Sequence, residues 1–412
     1  MERKSASYQV TLVLLLSINF GILFFDRNAL NFLMPFVQPD LKLSNTQVGM
    51  LASALSLTWA LSGIFIGAMS DRAGKKKIFI VVAGIAFSLC SFISGIATSF
   101  FMLLGARLLM GAAEGAVMPI SHSIVAAEVS PERRGLAMGV AQNLGSNFFG
   151  SFVAPVVLVA FATTFGWRNS FLLAGLPGLI FAALIWFLVQ DPEAEAGAHQ
   201  SGDRLTLAEA LKHRNMVICI LMSICLVSYL VITWAFMPLF LTQSRGFTPE
   251  VQGWLMGVLG ISATLGSFIV PAISDKVGRR PVMIIIPFIG VILPLAAMFL
   301  GGSPWALVPF FFFGWALNGI FPLFMATIPS ETLPPRYTAT ATGIVMGLGE
   351  VIGGVLSPTL AGRAADSFGL NAPLWIILGL TVLAGLLAFG LIETAPGKVK
   401  AAAPAKPIRA AA

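Results

Sequence analysis

The chain predicts an all-α membrane protein of twelve transmembrane helices in two pseudo-symmetric six-helix bundles. Three observations lead there: a composition suited to lipid, a one-sided placement of cationic residues, and an internal echo between the halves. Of 412 residues, 57% are hydrophobic and 10% charged, with a mean hydropathy of +0.89. A soluble domain carries about 25% charged residues, so a conventional soluble enzyme and a disordered chain are both excluded. Continuous apolar runs of about 20 residues exclude a membrane β-barrel, whose strands are ~10 residues long and alternate in polarity.

The expected spans are 9–36, 46–69, 77–97, 100–126, 137–162, 168–190, 216–241, 250–273, 281–301, 304–329, 339–364 and 372–393. Met1-Glu2-Arg3-Lys4 before the first run resembles a signal-peptide start, but the run continues through Asp26 and Arg27 with no small-residue cleavage site, so it reads as an uncleaved first helix. The longest interruption, Asp191 to Arg214, is polar and divides the chain near its middle. The expected organisation is therefore a first bundle over 1–190, a linker over 191–214, a second bundle over 215–393 and a disordered tail over 394–412.

Cationic residues set the orientation. With the N-terminus inside, the inner segments and tails hold 19 Lys and Arg, whereas the outer loops hold four, Lys42, Arg168, Arg245 and Arg363. Both termini are thus expected in the cytoplasm. The net charge of +7 is accounted for by this asymmetry, without a nucleic-acid partner. The partner expected instead is the lipid bilayer, with the protein as a monomer in a bacterial inner membrane. Cys90, Cys219 and Cys225 lie within spans and imply no disulfide framework. No nucleophile–base constellation, phosphate-binding glycine loop or metal-ligand cluster is visible, so neither enzymatic chemistry nor a cofactor is expected.

The halves echo each other. Gly67-x-x-x-Asp71-Arg72-x-Gly74-Lys75-Lys76 closes the second span, and Pro271-x-x-x-Asp275-Lys276-x-Gly278-Arg279-Arg280 closes the eighth. Glu128-x-x-Pro131-x-Arg133 after span four is matched by Glu331-x-x-Pro334-x-Arg336 after span ten. Two echoes at nearly one offset indicate a tandem duplication of six spans.

Charges inside spans carry the functional reading. Each costs roughly 2.5–3.5 kcal/mol at a helix centre, so each needs a partner, a proton or a watery cavity. Asp26 and Arg27 are adjacent and diverge by about 100° on a helix, so one faces a cavity while the other turns to a neighbouring helix. Arg107 and Glu114 are two turns apart on one face, about 10 Å of rise, which suits a cationic anchor and a separate proton site on one wall. A purely structural interhelical staple is the alternative. Asn143 and Asn147 share a face of span five; Asn147 either touches substrate or bonds between helices. Trp59, Tyr229, Trp234 and Trp315 either shape a cavity or anchor span ends.

The Gly67–Lys76 loop, its degenerate repeat and Arg107-x-x-x-Gly111 resemble the major facilitator superfamily. That resemblance implies two bundles rocking about a central cavity by alternating access. Phe25-Asp26-Arg27, Arg107-Leu-Leu-Met-Gly111-Ala-Ala-Glu114, Pro131-Glu132-Arg133-Arg134-Gly135 and the stretch from Thr233-Trp234 to Arg245-Gly246-Phe247 are similar to its anion:cation symporter family. The likeness implies proton-coupled symport of a small organic anion, a sugar acid or dicarboxylate among the candidates. It gives proton coupling to Asp26 and Glu114, and substrate binding to Arg27, Arg107 and Asn147; Trp59, as an aromatic that can shape the cavity, is added to the substrate-binding candidates on its own account. It leaves Gly67, Asp71, Arg72 and Gly74 as a conformational gate motif; Glu350, read from its charge within span eleven, is either a second-half coupling site or a hydrated residue near the outer boundary. Where that family commonly has tyrosines this chain has Phe24, Phe25 and Trp59, and where it often has Asn this chain has Met346. Fewer hydroxyl donors favour a smaller or more apolar carboxylate over a polyhydroxylated one. Spinster-like lysolipid transporters share the Asp-Arg and Arg-to-Glu signals and form the first alternative; a multidrug exporter is the second.

Overall fold

In lipid the backbone has no water to bond, so each apolar run closes its hydrogen bonds within a helix. The computed structural model describes residues 5–130, 133, 137–191, 206–334 and 337–398. Among the described residues, 12 helices are long and apolar enough to cross a membrane. They are α1 Ser7–Asp40, α2 Asn45–Ser70, α3 Lys76–Gly95, α4 Phe100–Glu128, α5 Ala137–Phe165 and α6 Trp167–Leu188 in the first half. The second half contributes α7 Arg214–Ser244, α8 Pro249–Val277, α9 Arg279–Phe299, α10 Pro304–Thr332, α11 Thr340–Phe368 and α12 Asn371–Ala388. Each coincides with an expected run. The first is longer than expected because Pro35 and Pro39 lie inside it without ending it.

Local chemistry fixes the ends. Ser44 and Gln47 form a capping box at the start of α2, and Gly74, at φ 65, ends that helix in the left-handed conformation glycine adopts freely. Several helices are irregular within. The fourth span breaks at Gly115–Ala116, directly after Glu114. Wide π turns run over Phe148–Val153 in α5 and Gly349–Leu356 in α11, a feature that recurs at functional sites.

Within the first half α3 packs on α6 and α2 on α4; within the second, α7 packs on α11 and α12, α8 on α10, and α9 on α12. The halves meet through α2 with α11, α5 with α8, and α1 with α7. The duplication is visible at atomic detail. Ser62 of α2 donates to the Ala112 carbonyl of α4 at 2.5 Å, and Ser262 of α8 donates to the Phe312 carbonyl of α10 at 2.5 Å.

The two ends of the assembly differ. At the end bearing the N-terminus, Ser130 N–H donates to Gln9, and Lys77 N–H to Asp191 at 2.7 Å. At the opposite, distal end the halves are sealed. Asp366 of α11 accepts from the N–H groups of Asn45 and Thr46 at the start of α2, at 2.8 and 2.9 Å, and Gln243 donates to Gln38 at 2.8 Å. The seal uses one device twice: a Cβ on Gly49 would lie 2.1 Å from the Pro358 carbonyl oxygen, and one on Gly253 would lie 2.9 Å from that of Pro155. Toward the terminus-bearing end the same helices part, and a Cβ on Gly67 of α2 or Gly347 of α11 would meet nothing within 4 Å.

The second-half echoes converge in space. Arg279 pairs with Asp275 at 2.5 Å and with Glu331 at 3.0 Å, joining the ends of α8 and α10. Glu393, beyond α12, accepts from Arg279 N–H at 2.8 Å and Arg280 N–H at 3.1 Å, capping α9. This cap corrects the expectation of a disordered tail from 394: Thr394 donates to Glu331 at 2.6 Å and Ala395 is buried. The remainder of that tail, 399–412, and most of the expected linker, 192–205, lie outside the described residues. So do Pro131, Glu132, Arg134, Gly135 and Arg336 of the loop motifs.

Candidate functional site

A cavity of about 130 Å³ lies between the halves, under the distal seal. The first half supplies its charges, Arg27 and Arg107, and the amides Asn28, Asn31 and Asn147. The second half lines it with Leu230, Val231 and Trp234, and with one polar side chain, Asn318.

Helical geometry separates the Asp26–Arg27 pair. Arg27 faces the cavity, whereas Asp26 is fully buried away from it. Ser91 of α3 is the polar neighbour of Asp26, but its hydroxyl donates to the Phe171 carbonyl at 3.0 Å. Arg27 Nη1 lies 3.8 Å from Glu114 Oε2, so the ion pair crosses from α1 to α4. Its guanidinium also sits over the rings of Trp59 and Phe24, at 5.2 and 5.5 Å, an arrangement that holds the planar group by cation–π attraction. Arg107 Nη1 donates to the Arg27 carbonyl at 3.0 Å, tying the second guanidinium to the helix that carries the first.

Most of the polar atoms in this quartet are buried without a hydrogen-bond partner among the described residues. They are both oxygens of Asp26 and of Glu114, Arg27 Nη1, and Nε and Nη2 of Arg107. A buried ion normally needs its lone pairs and protons satisfied as well as a counter-charge. Here two carboxylates and two guanidinium groups balance in charge but retain unused bonding capacity, which lets the site exchange partners. Among the described residues no three His, Cys, Asp or Glu side chains are grouped as a metal would need.

The remaining expected residues are placed as follows. Asn147 lines the cavity and its amide reaches the Ala263 carbonyl of α8 at 3.5 Å, across the interface between halves. Trp59, expected to bind substrate, is not among the cavity-lining residues; it backs Arg27, because that face of α2 packs against Gly115 of α4. Glu350 stands at the α2–α11 contact, beside Ser56. Arg72 is exposed and Gly67 has open space before it. Asp71 is helical. Asn28, Asn31, Ser56, Ser151 and Asn318 were not singled out by sequence reasoning, since small polar residues occur throughout membrane helices. The repeat offset contained the signal for one of them: aligning Gly115 with Gly319 sets Asn318 opposite Glu114.

A twelve-span fold with a charged cavity at the interface of its repeats defines a membrane carrier. The chain matches the Major Facilitator Superfamily over residues 16–349 and again over 230–412, and it belongs to that family. It is a multi-pass membrane transporter. It is 27% identical to the hexuronate transporter of Bacillus subtilis (strain 168), covering 91% of this chain and 92% of that one. It is 26% identical to the gallate transporter of Pseudomonas putida, covering 94% and 92%. It is 24% identical to the sialic acid transporter NanX of Escherichia coli (strain K12), covering 91% of each. Among solved structures it resembles a bacterial homologue of the lysosomal transporter Spinster in an inward-facing, occupied conformation, with a TM-score of 0.76 at 20% identity, covering 93% of this chain and 97% of that one. It also resembles the nucleoside transporter NupG, with a TM-score of 0.74 at 18% identity, covering 92% and 97%. The last two likenesses bear on fold alone.

Proposed function

We propose that this chain is a proton-coupled symporter of a small organic anion, working by alternating access. Both termini lie in the cytoplasm of a bacterial inner membrane, so the sealed distal end faces outward. The observation that carries the reading is the quartet of Asp26, Arg107 and Glu114, all buried, with the partly exposed Arg27, both guanidinium groups lining one cavity.

Charge balance supplies the mechanism. The first half's quartet is neutral with all four groups ionised. A carboxylate entering beside Arg27 and Arg107 leaves an excess negative charge in a medium where an isolated ion costs several kcal/mol. A proton delivered to Glu114 or Asp26 restores neutrality, so anion and proton load together. Glu114 is the closer partner of the cavity-facing Arg27, at 3.8 Å, and is the first acceptor. Asn147 and Asn318 face the same space and orient the body of the anion. Net positive charge carried inward gains about 2.3 kcal/mol per charge per 100 mV. The known relatives' cargoes, hexuronate, gallate and sialic acid, are organic acids and support this class.

The test is uptake by proteoliposomes across a panel of labelled carboxylates, with an imposed pH gradient. Accumulation of a carboxylate that collapses when the gradient is dissipated supports the reading. If no carboxylate moves while a lysolipid or a cationic drug does, the anion reading is wrong and a Spinster-like or exporter function replaces it.

A further inference from the structure

Away from span ends, Glu350 is the charged residue that the second half places within the membrane. It sits on the π turn Gly349–Leu356 of α11, where the widened backbone redirects side chains. Its carboxyl stands beside Ser56 of α2, and Arg27 is the cation whose charge acts on it. Gly354 leaves the space this needs: a Cβ there would lie 2.7 Å from Glu350 Oε1 and 3.3 Å from Ser56 Oγ.

The contact has a definite place in the interface. From the distal end, α2 and α11 are joined by Asn45 and Thr46 with Asp366, then Gly49 with Pro358, then Ser53 with Thr359 at 2.8 Å. Ser56 with Glu350 is the next rung, and beyond it a Cβ on Gly67, Gly343 or Gly347 would meet nothing within 4 Å. Arg27 is therefore paired with a carboxylate of its own half, Glu114, and its charge also reaches one of the opposite half, Glu350. When the halves part at the distal end, the Arg27–Glu114 pair travels as a unit within the first half, whereas Glu350 must leave Ser56 and the field of Arg27.

We propose that Glu350 is a cross-bundle latch: a positioning residue that uses the charge of Arg27 and the hydroxyl of Ser56 to hold the distal end closed. Closing brings its carboxylate beside the Ser56 hydroxyl and into the field of Arg27, so removing its charge leaves the guanidinium less compensated in the sealed state. The inference goes beyond the transport reading, because it concerns which end is open and requires no cargo.

The test uses the full chain in lipid, without added substrate, spin-labelled at Pro39→Cys and Ser367→Cys, two exposed distal positions on opposite halves. The native Cys90, Cys219 and Cys225 are buried and stay unlabelled. Glu350→Gln should raise the population at long inter-label distance by about fivefold or more. Gly354→Ala, which displaces the carboxylate but keeps its charge, should shift the distribution in the same direction, and so should Ser56→Ala. Should one variant fail to fold, the others still decide. Distributions that stay at the parent distance in every folded variant overturn the latch. Since no cargo is present, that failure leaves the anion reading standing, just as a carboxylate panel that fails to move leaves the latch standing.

Discussion

Replacing Glu114 by Gln tests whether this carboxylate couples the proton or merely holds α4 in place. The carboxamide keeps shape and hydrogen-bonding capacity while removing a charge 3.8 Å from Arg27. At an effective dielectric constant of ~20, that charge attracts the guanidinium by about 4 kcal/mol, and its loss leaves the quartet with one uncompensated positive charge, a cost of several kcal/mol that an entering anion neutralises. The variant is therefore less stable without substrate, and the diagnostic effect is the one on coupling. In proteoliposomes with a gradient of about one pH unit, one coupled proton is worth ~1.4 kcal/mol, a tenfold accumulation of the anion. The variant should bring that ratio to unity while counterflow exchange, which needs binding and isomerisation but no gradient, stays within about threefold. Equal loss of exchange and accumulation would refute the reasoning and return Glu114 to a structural role. Full retention of gradient-driven accumulation would remove it from the coupling path.

Other consequences can be checked separately. Arg107→Lys keeps the charge but loses the planar fork whose Nε and Nη2 are unengaged, so the affinity for carboxylate should fall by about tenfold, read as the half-saturating concentration of uptake; unchanged affinity removes Arg107 from the binding site. Gly49→Ala places a Cβ 2.1 Å from a backbone oxygen that cannot yield, an overpacking cost of about 1–3 kcal/mol against the sealed state. It should slow transport and separate distal labels, whereas Gly67→Ala, with nothing within 4 Å, should leave the sealed state unperturbed. Burial works to raise the Glu393 carboxyl, but N–H donation from Ala395, Arg279, Arg280 and Thr394 outweighs it and holds the group below its ordinary value. Its contribution to stability is then present above the unfolded value of about 4.3 and lost as pH falls through the folded one. Glu393→Gln should lower the melting temperature at neutral pH, with the difference closing on acidification; a constant difference across pH would contradict the charged cap.

The sequence makes some of this legible for a physical reason. Lipid penalises charge so strongly that Asp26, Arg27, Arg107 and Glu114 stand out at once against the apolar runs that carry them. The same penalty is weak for amides and hydroxyls, so Asn28, Asn31, Ser151 and Asn318 look no different from ordinary interhelical bonding. Facing is harder still. Trp59 and Arg27 lie on different helices, and only their packing shows that the indole backs the guanidinium. Glu350 sits on a turn whose backbone departs from the 3.6-residue period, so counting residues along α11 from sequence misplaces its face. The break after Glu114 at Gly115 is equally invisible to hydropathy, because both pieces are apolar.

Duplication explains the scaffold and makes the chemistry more informative. Gly49 and Gly253 are echoed positions, as are Pro155 and Pro358, and together they close the distal end twice with one geometry. Aligning Met34-Pro35 with Met237-Pro238 sets Asp26-Arg27 opposite Tyr229-Leu230, and Glu114 falls opposite Asn318. The run Val308–Trp315, which corresponds to the neighbourhood of Arg107, contains no charge. The second half has thus kept the seal positions while exchanging the charged positions for aromatic, aliphatic and amide side chains. A carrier whose two halves both held several fixed charges would have to break several ion pairs across the cavity at every turnover. Confining the quartet to the first half reduces that cost to the interaction of Arg27 with Glu350, the acidic group that senses the second half's position.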